Sequence, residues 1–149
     1  MPRVTVDWAY QTDPDNRQLR ARHEARETIS VKDEYDVQDL LHGLLKIDFE
    51  DVRPEEWTPS YAGKSSRMDF LLKSENIVIE TKMTRKGLAD REIGDQLIID
   101  VARYKEHPGC KTLVCFVYDP DGYIRNAPGL KADLGTREKA LKVVVVIVP

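Results

Sequence analysis

The chain has 149 residues, enough for one domain that buries a core of its own. Lys and Arg number 23 against 26 Asp and Glu, a net charge of −3, which excludes a global basic signature and leaves any phosphate contact to a local cluster. No basic segment followed by an apolar one opens the chain, and no apolar run approaches the roughly 18 residues of a membrane span, so the expected compartment is the cytoplasm and no membrane role is expected.

From Thr12-Asp13-Pro14 the sequence turns helical: Asp13 suits a cap and Pro14 a first helical position. Charged residues follow to about Ser30, with Leu19 the only large apolar residue between positions 11 and 28. Residues 1–30 are therefore expected to form a polar helical extension, either a solvated arm or a partner-binding segment, ahead of a domain over 31–149. Its Arg17, Arg20, Arg22 and Arg26 are diluted by Asp15, Glu24 and Glu27. Asp33 to Ile47 is a stronger helix, with Val37, Leu40, Leu41, Leu44 and Leu45 at spacings of three and four, and it is expected to pack on a sheet. Its first turn holds Asp33, Glu34 and Asp36, where the helix dipole favours acids.

Phe49 to Val52 reads as a short strand and Pro54 to Pro59 as a connector carrying Trp57. Tyr61 to Arg67 is a basic, flexible entry in which Lys64 and Arg67 are candidates for gripping a phosphate. The centre of the chain follows. Arg67 to Leu72 and Ile77 to Lys82 read as two strands around the turn Ser74-Glu75-Asn76. Centred on Ser74 and Glu75, antiparallel pairing opposes residues whose numbers sum to 149, so Asp69 faces Glu80. Alternation puts Met68, Phe70, Leu72, Ile77, Ile79 and Thr81 on one face and Arg67, Asp69, Leu71, Val78, Glu80 and Lys82 on the other.

Two opposed carboxylates need a cation between them, or one of them must stay protonated. One reading is a crossed ion-pair square on a solvated face, with Arg67 and Lys82 supplying the charge. The other is a covered cleft, because Leu71 and Val78 continue that face as apolar residues. Beyond Lys82, the positive residues Arg85, Lys86 and Arg91 sit at the mouth of such a cleft, where a nucleic-acid backbone would lie. A helix from Ala89 to about Lys105 buries Ile93, Leu97, Val101 and Tyr104. Lys111 to Tyr118 is a strand buried on both faces, Asp119 to Gly122 a turn, Pro128 to Lys142 holds a short helix, and Val143 to Val148 is a last buried strand. The sequence closes one residue past it, as expected of a cleanly bounded domain, whether a full protein or one cut from a longer chain. Cys110 and Cys115 have no nearby cysteine or histidine partner, so neither zinc nor a disulfide framework is expected. His23, His42 and His107 are scattered and read as structural or surface residues.

An acid in one strand followed by Glu-Thr-Lys in the next resembles the PD-(D/E)XK nuclease superfamily, with Asp69, Glu80 and Lys82 matching and Met68 standing where the proline would be. Tyr61, Gly63, Arg67 to Phe70, Ile77 to Lys82, Glu92, Gln96, Tyr104, His107-Pro108, Tyr118-Asp119-Pro120 and the closing valine-rich strand look like the domain family named after the DpnII and MboI restriction enzymes, over about residues 35–149. The resemblance implies an α/β fold: a restriction-endonuclease-like α-β-β-β-α-β core with a mixed central sheet flanked by helices, extended at the N-terminus by a further helical segment. It implies Mg2+ or Mn2+ held by Asp69, Glu80 and the backbone carbonyl of Thr81, with Glu34 as a candidate outer ligand and Lys82 acting on the attacking water. Gln96 is a candidate for touching the site, although the Gln-x-x-x-Tyr form of exonuclease relatives is broken by Asp100.

The expected function is metal-dependent hydrolysis of a phosphodiester, with Lys64, Arg67, Arg85, Lys86 and Arg91 on the nucleic acid. DNA is the expected substrate, while RNA stays open. The expected setting is an effector module in defence against foreign DNA, working as a homo-oligomer or with partner domains. The alternatives are a non-catalytic nucleic-acid-binding or assembly domain of the same fold, and a sequence-specific restriction endonuclease.

Overall fold

The structure is a computed structural model and describes residues 29–57, 67–137 and 140–149. Helix α1 (Glu34–Asp48) starts where the Asp33 carboxylate accepts from the backbone N–H of Asp36 at 3.1 Å, a side-chain cap that satisfies one orphan donor of the first turn. It ends at Phe49, whose N–H still reaches the carbonyl of Leu45 while its own backbone is already extended. Strands β1 (Val52–Pro54), β2 (Phe70–Leu72) and β3 (Ile77–Met83) follow, then α2 (Asp90–Lys105), β4 (Thr112–Tyr118), α3 (Ala127–Arg137) and β5 (Lys142–Val148). The Glu92 carboxylate reaches back to the N–H of Ala89 at 3.3 Å, which caps α2 although alanine offers no side-chain acceptor.

The five strands lie in sequence order in one mixed sheet: β1-β2-β3 antiparallel, β3-β4-β5 parallel. The parallel pairs are joined by α2 and α3 as crossovers, which parallel pairing requires. Phe70 pairs with Ile79, Leu71 with Val78 and Leu72 with Ile77, the register expected from the sequence. The turn between them holds four residues and closes on Asn76 at φ 57°, a left-handed conformation that asparagine tolerates.

Three layers result. On one side of the sheet α1 packs Leu41 and Leu45 against Phe70, Leu72 and Ile79, and Val37 against Tyr118. On the other, Ile93, Leu97, Val101 and Tyr104 of α2 join Leu134 of α3 over Leu71, Val78, Leu113, Cys115 and Val117. Both faces of the central ribbon are therefore covered, which removes the solvated-face reading.

Four expectations need correction. Met68 packs with Leu71 and Val78 on the α2 side, not with Phe70, because the backbone bends at Asp69 and breaks the two-residue alternation. Leu40 and Leu44 point outward, with exposures of 36% and 52%; the buried stripe of α1 is the narrower Val37, Leu41 and Leu45. The first strand is Val52–Pro54 rather than Phe49 to Val52, since Phe49 is taken up in ending the helix. The strand β5 is only partly buried along its apolar length, for it lies at one end of the five-stranded order.

Candidate active site

The site forms where two neighbouring strands part. The β2–β3 ladder ends at Phe70 and Ile79, while β3 continues four residues further, paired only with β4. On the vacated edge, the N–H groups of Thr81 and Met83 lose a strand partner and take carboxylates instead. Asp69 Oδ2 accepts from the Thr81 N–H at 2.7 Å and from its hydroxyl at 2.6 Å, and Glu34 Oε2 accepts from the Met83 N–H at 3.3 Å. An extended residue directs its N–H and C=O to the same side, so the Thr81 carbonyl is aimed at the same opening.

Glu80 and Lys82 leave β3 toward α2. Glu80 is 4% exposed and Asp100, on α2, equally so. The Tyr104 hydroxyl donates to Glu80 Oε1. Lys82 Nζ lies 3.5 Å from Glu80 Oε2 and 3.3 Å from Asp100 Oδ2, and Arg103 Nη1 lies 3.0 Å from Asp100 Oδ1. The crossed square does not form: Arg67 pairs with Glu55 at 3.1 Å, out in solvent.

Four carboxylates, Glu34, Asp69, Glu80 and Asp100, thus act on one largely buried lysine. Burial, then the negative charges of Asp69 and Asp100, push the Glu80 carboxyl up to about 7, against the opposing pull of Tyr104 and Lys82. Burial also raises Glu34 and Asp100 above the usual carboxylate range. For Lys82, burial favours the neutral amine, but the surrounding acids outweigh it and its pKa is raised. A pocket with this surplus of buried carboxylate over cation is one that an added cation would relieve.

Arg85, Lys86 and Arg91 are all exposed near the C-terminal end of β3. The first two are presented by a tight turn in which Arg85 and Leu88 exchange backbone hydrogen bonds at 3.2 and 2.8 Å. Its Gly87 has φ 83°, a conformation that favours glycine. Arg67 is exposed and Lys64 lies outside the described residues, as do the N-terminal arginines. Gln96 is half-buried on α2, and its side chain makes no hydrogen bond with the described residues of the site. The two cysteines are buried free thiols, pushed up by burial to about 11 (Cys110) and about 12 (Cys115).

Sequence reasoning missed Asp100 and treated Tyr104 as core alone. The signal was present: Asp100 interrupts the buried stripe Ile93, Leu97, Val101 and Tyr104, and an acid at a core position is buried only when paired.

A family model, REase_DpnII-MboI, matches residues 2–149. The chain belongs to the DpnII–MboI restriction-endonuclease family. Membership supports a DNA endonuclease in general terms and makes DNA the substrate class. The match reaches further toward the N-terminus than the span from about residue 35 that the sequence resemblance covered. Among curated proteins and among solved structures, no match was found. No helix of the described residues is long and apolar enough to cross a membrane.

Members of this family typically use divalent metals. Among the described residues no group of three or more His, Cys, Asp or Glu side chains is arranged to hold a metal ion. Magnesium is a hard cation that takes one or two carboxylates and completes its shell with water and phosphate. Asp69 keeps Oδ1 clear of hydrogen bonds with the described residues, and the Thr81 carbonyl faces the same opening. The donors are all oxygen, and the pocket is short of positive charge. The residues present fit such a cation.

Proposed function

We propose that this domain is a magnesium- or manganese-dependent DNA endonuclease, acting as a nuclease module in defence against foreign DNA. The observation that carries the reading is the meeting of Asp69, Glu80 and Lys82 at the point where β2 leaves β3, in a pocket where buried carboxyl groups outnumber the one lysine.

Asp69, Glu80 and the Thr81 carbonyl would hold the metal, with Glu34 at the outer edge of the site. Such an ion, when bound, supplies a water of lowered pKa and neutralises charge on phosphate oxygens. The chain's own residues do the rest. Thr81 fixes the Asp69 carboxylate through two hydrogen bonds, so it meets a ligand without first losing rotamer freedom. Tyr104 does the same for one oxygen of Glu80. Lys82 is a compact ammonium close to Glu80, suited to orienting the attacking water and stabilising charge that grows on the phosphate. Arg85, Lys86 and Arg91, with Lys64 and Arg67, would carry the phosphate backbone past this point.

Titration calorimetry on wild type and Asp69→Asn tests the reading together with nicking of supercoiled plasmid. Wild type is expected to bind magnesium and nick only in its presence, and Asp69→Asn to lose most of both. Equal metal affinity in the two proteins, or no nicking with either metal, would favour the non-catalytic alternative.

A further inference from the structure

We infer that helix α2 positions the catalytic pair through two residues one turn apart, with Asp100 holding Lys82 and Tyr104 holding Glu80; the inference rests on the function proposed above. Asp100 and Tyr104 share the sheet-facing side of α2, at the four-residue spacing that stacks side chains on one face. Glu80 and Lys82 share the α2-facing side of β3, at the two-residue spacing that does the same in a strand. The two periodicities match two contacts to two groups: the Tyr104 hydroxyl on Glu80 Oε1, and Asp100 Oδ2 at 3.3 Å from Lys82 Nζ.

Asp100 is buried like a core residue, yet it is an acid, and its other oxygen is held by Arg103 at 3.0 Å. Burying an acid at a position of the apolar stripe is costly, and a leucine there would pack without that cost. What the acid provides is a fixed second anchor for the ammonium. A lysine side chain has four rotatable bonds, and Glu80 Oε2 alone, at 3.5 Å, is a loose tether. With Asp100 on the far side, Nζ is confined between two carboxylates, and Arg103 keeps Asp100 itself from turning away. Asp100 and Tyr104 are thus positioning residues, and they divide the work: one governs the lysine, the other the metal-facing carboxylate.

The test compares Asp100→Asn and Tyr104→Phe with wild type by relaxation of the lysine side-chain 15Nζ and 13Cε signals, with Lys82 assigned from its absence in Lys82→Ala. Magnesium calorimetry and plasmid-cleavage kinetics on the same samples complete it. In Asp100→Asn the Lys82 signal is expected to become as mobile as those of exposed lysines, and kcat to fall about 10- to 100-fold, the usual scale for losing an outer partner of a site, with KM and magnesium affinity unchanged. Asp100→Glu is expected to recover part of the rate. Tyr104→Phe should do the reverse, weakening magnesium binding while Lys82 stays ordered. A merely structural role would lower the melting temperature in both variants without this split.

If Asp100→Asn does not fold, Arg103→Gln reads the same arm, since it frees Asp100 from outside the core. Lys82 remaining as ordered as in wild type in whichever of these variants folds would overturn the inference, as would an unchanged kcat. Absence of cleavage by wild type would instead sink the proposed function, and the relaxation arm would still decide whether α2 holds the lysine.

Discussion

Glu80 is the residue on which the chemistry and the stability of this domain meet. Its carboxyl is pushed up to about 7 by burial and by Asp69 and Asp100, whereas in the unfolded chain it would titrate near its ordinary value. The folded protein therefore binds this proton more tightly than the unfolded one, and stability falls as pH rises from about 4.5 through about 7. A difference of that size is worth on the order of 3 kcal/mol. Glu34 and Asp100 shift in the same direction and add to the trend. A bound cation would remove the penalty by favouring the charged form. The metal-free protein is thus expected to melt at lower temperature at about pH 8 than at about pH 5.5, and magnesium to raise the melting temperature more at the higher pH. Scanning calorimetry with and without magnesium at both values checks this, and Glu80→Gln should flatten the pH dependence. A melting temperature that rises over the interval in the absence of metal would contradict the account.

Among the elements, the β2–β3 ribbon was the most legible in sequence, because the turn at Ser74-Glu75-Asn76 centred the pairing and the alternation of apolar residues gave its faces from Phe70 onward. The bend at Asp69 was not legible: it depends on where β2 stops pairing, and that is decided by neighbouring backbone rather than by the strand's own residues. For β5 the unbroken run of valines suggested burial on both faces, but burial depends on how many strands flank it, which composition does not encode. Asp100 was hidden for a related reason. Its spacing put it on the buried stripe of α2, while its type suggested an exposed position, and only the three-dimensional approach of Lys82 reconciles the two. The turn after β3 makes a prediction at this scale. Neutralising Arg85 and Lys86 together is expected to weaken DNA binding across sequences and to reduce the salt slope by up to about 2, the amount for two phosphate contacts. Filter binding over a salt series measures it, and an unchanged slope would move the DNA path away from this turn.

At the scale of the molecule, the fold works by ending one strand early. A three-residue β2 beside a seven-residue β3 leaves an edge whose N–H groups call for acceptors. The acceptors supplied, Asp69 and Glu34, are acids drawn from a strand entry and from α1. Layers of helix on both faces then bury the resulting charge, so that Lys82 faces four carboxylates in a partly dehydrated setting. The central claim is that this buried charge serves cleavage of DNA rather than cohesion of the fold. Lys82→Ala tests it most directly, with cleavage rate, DNA affinity and melting temperature measured on one preparation. The account predicts a loss in rate of about 100-fold or more with DNA affinity nearly intact, the scale for removing one preorganised charge. Cleavage by Lys82→Ala at the wild-type rate, in a preparation free of contaminating nuclease, would contradict it.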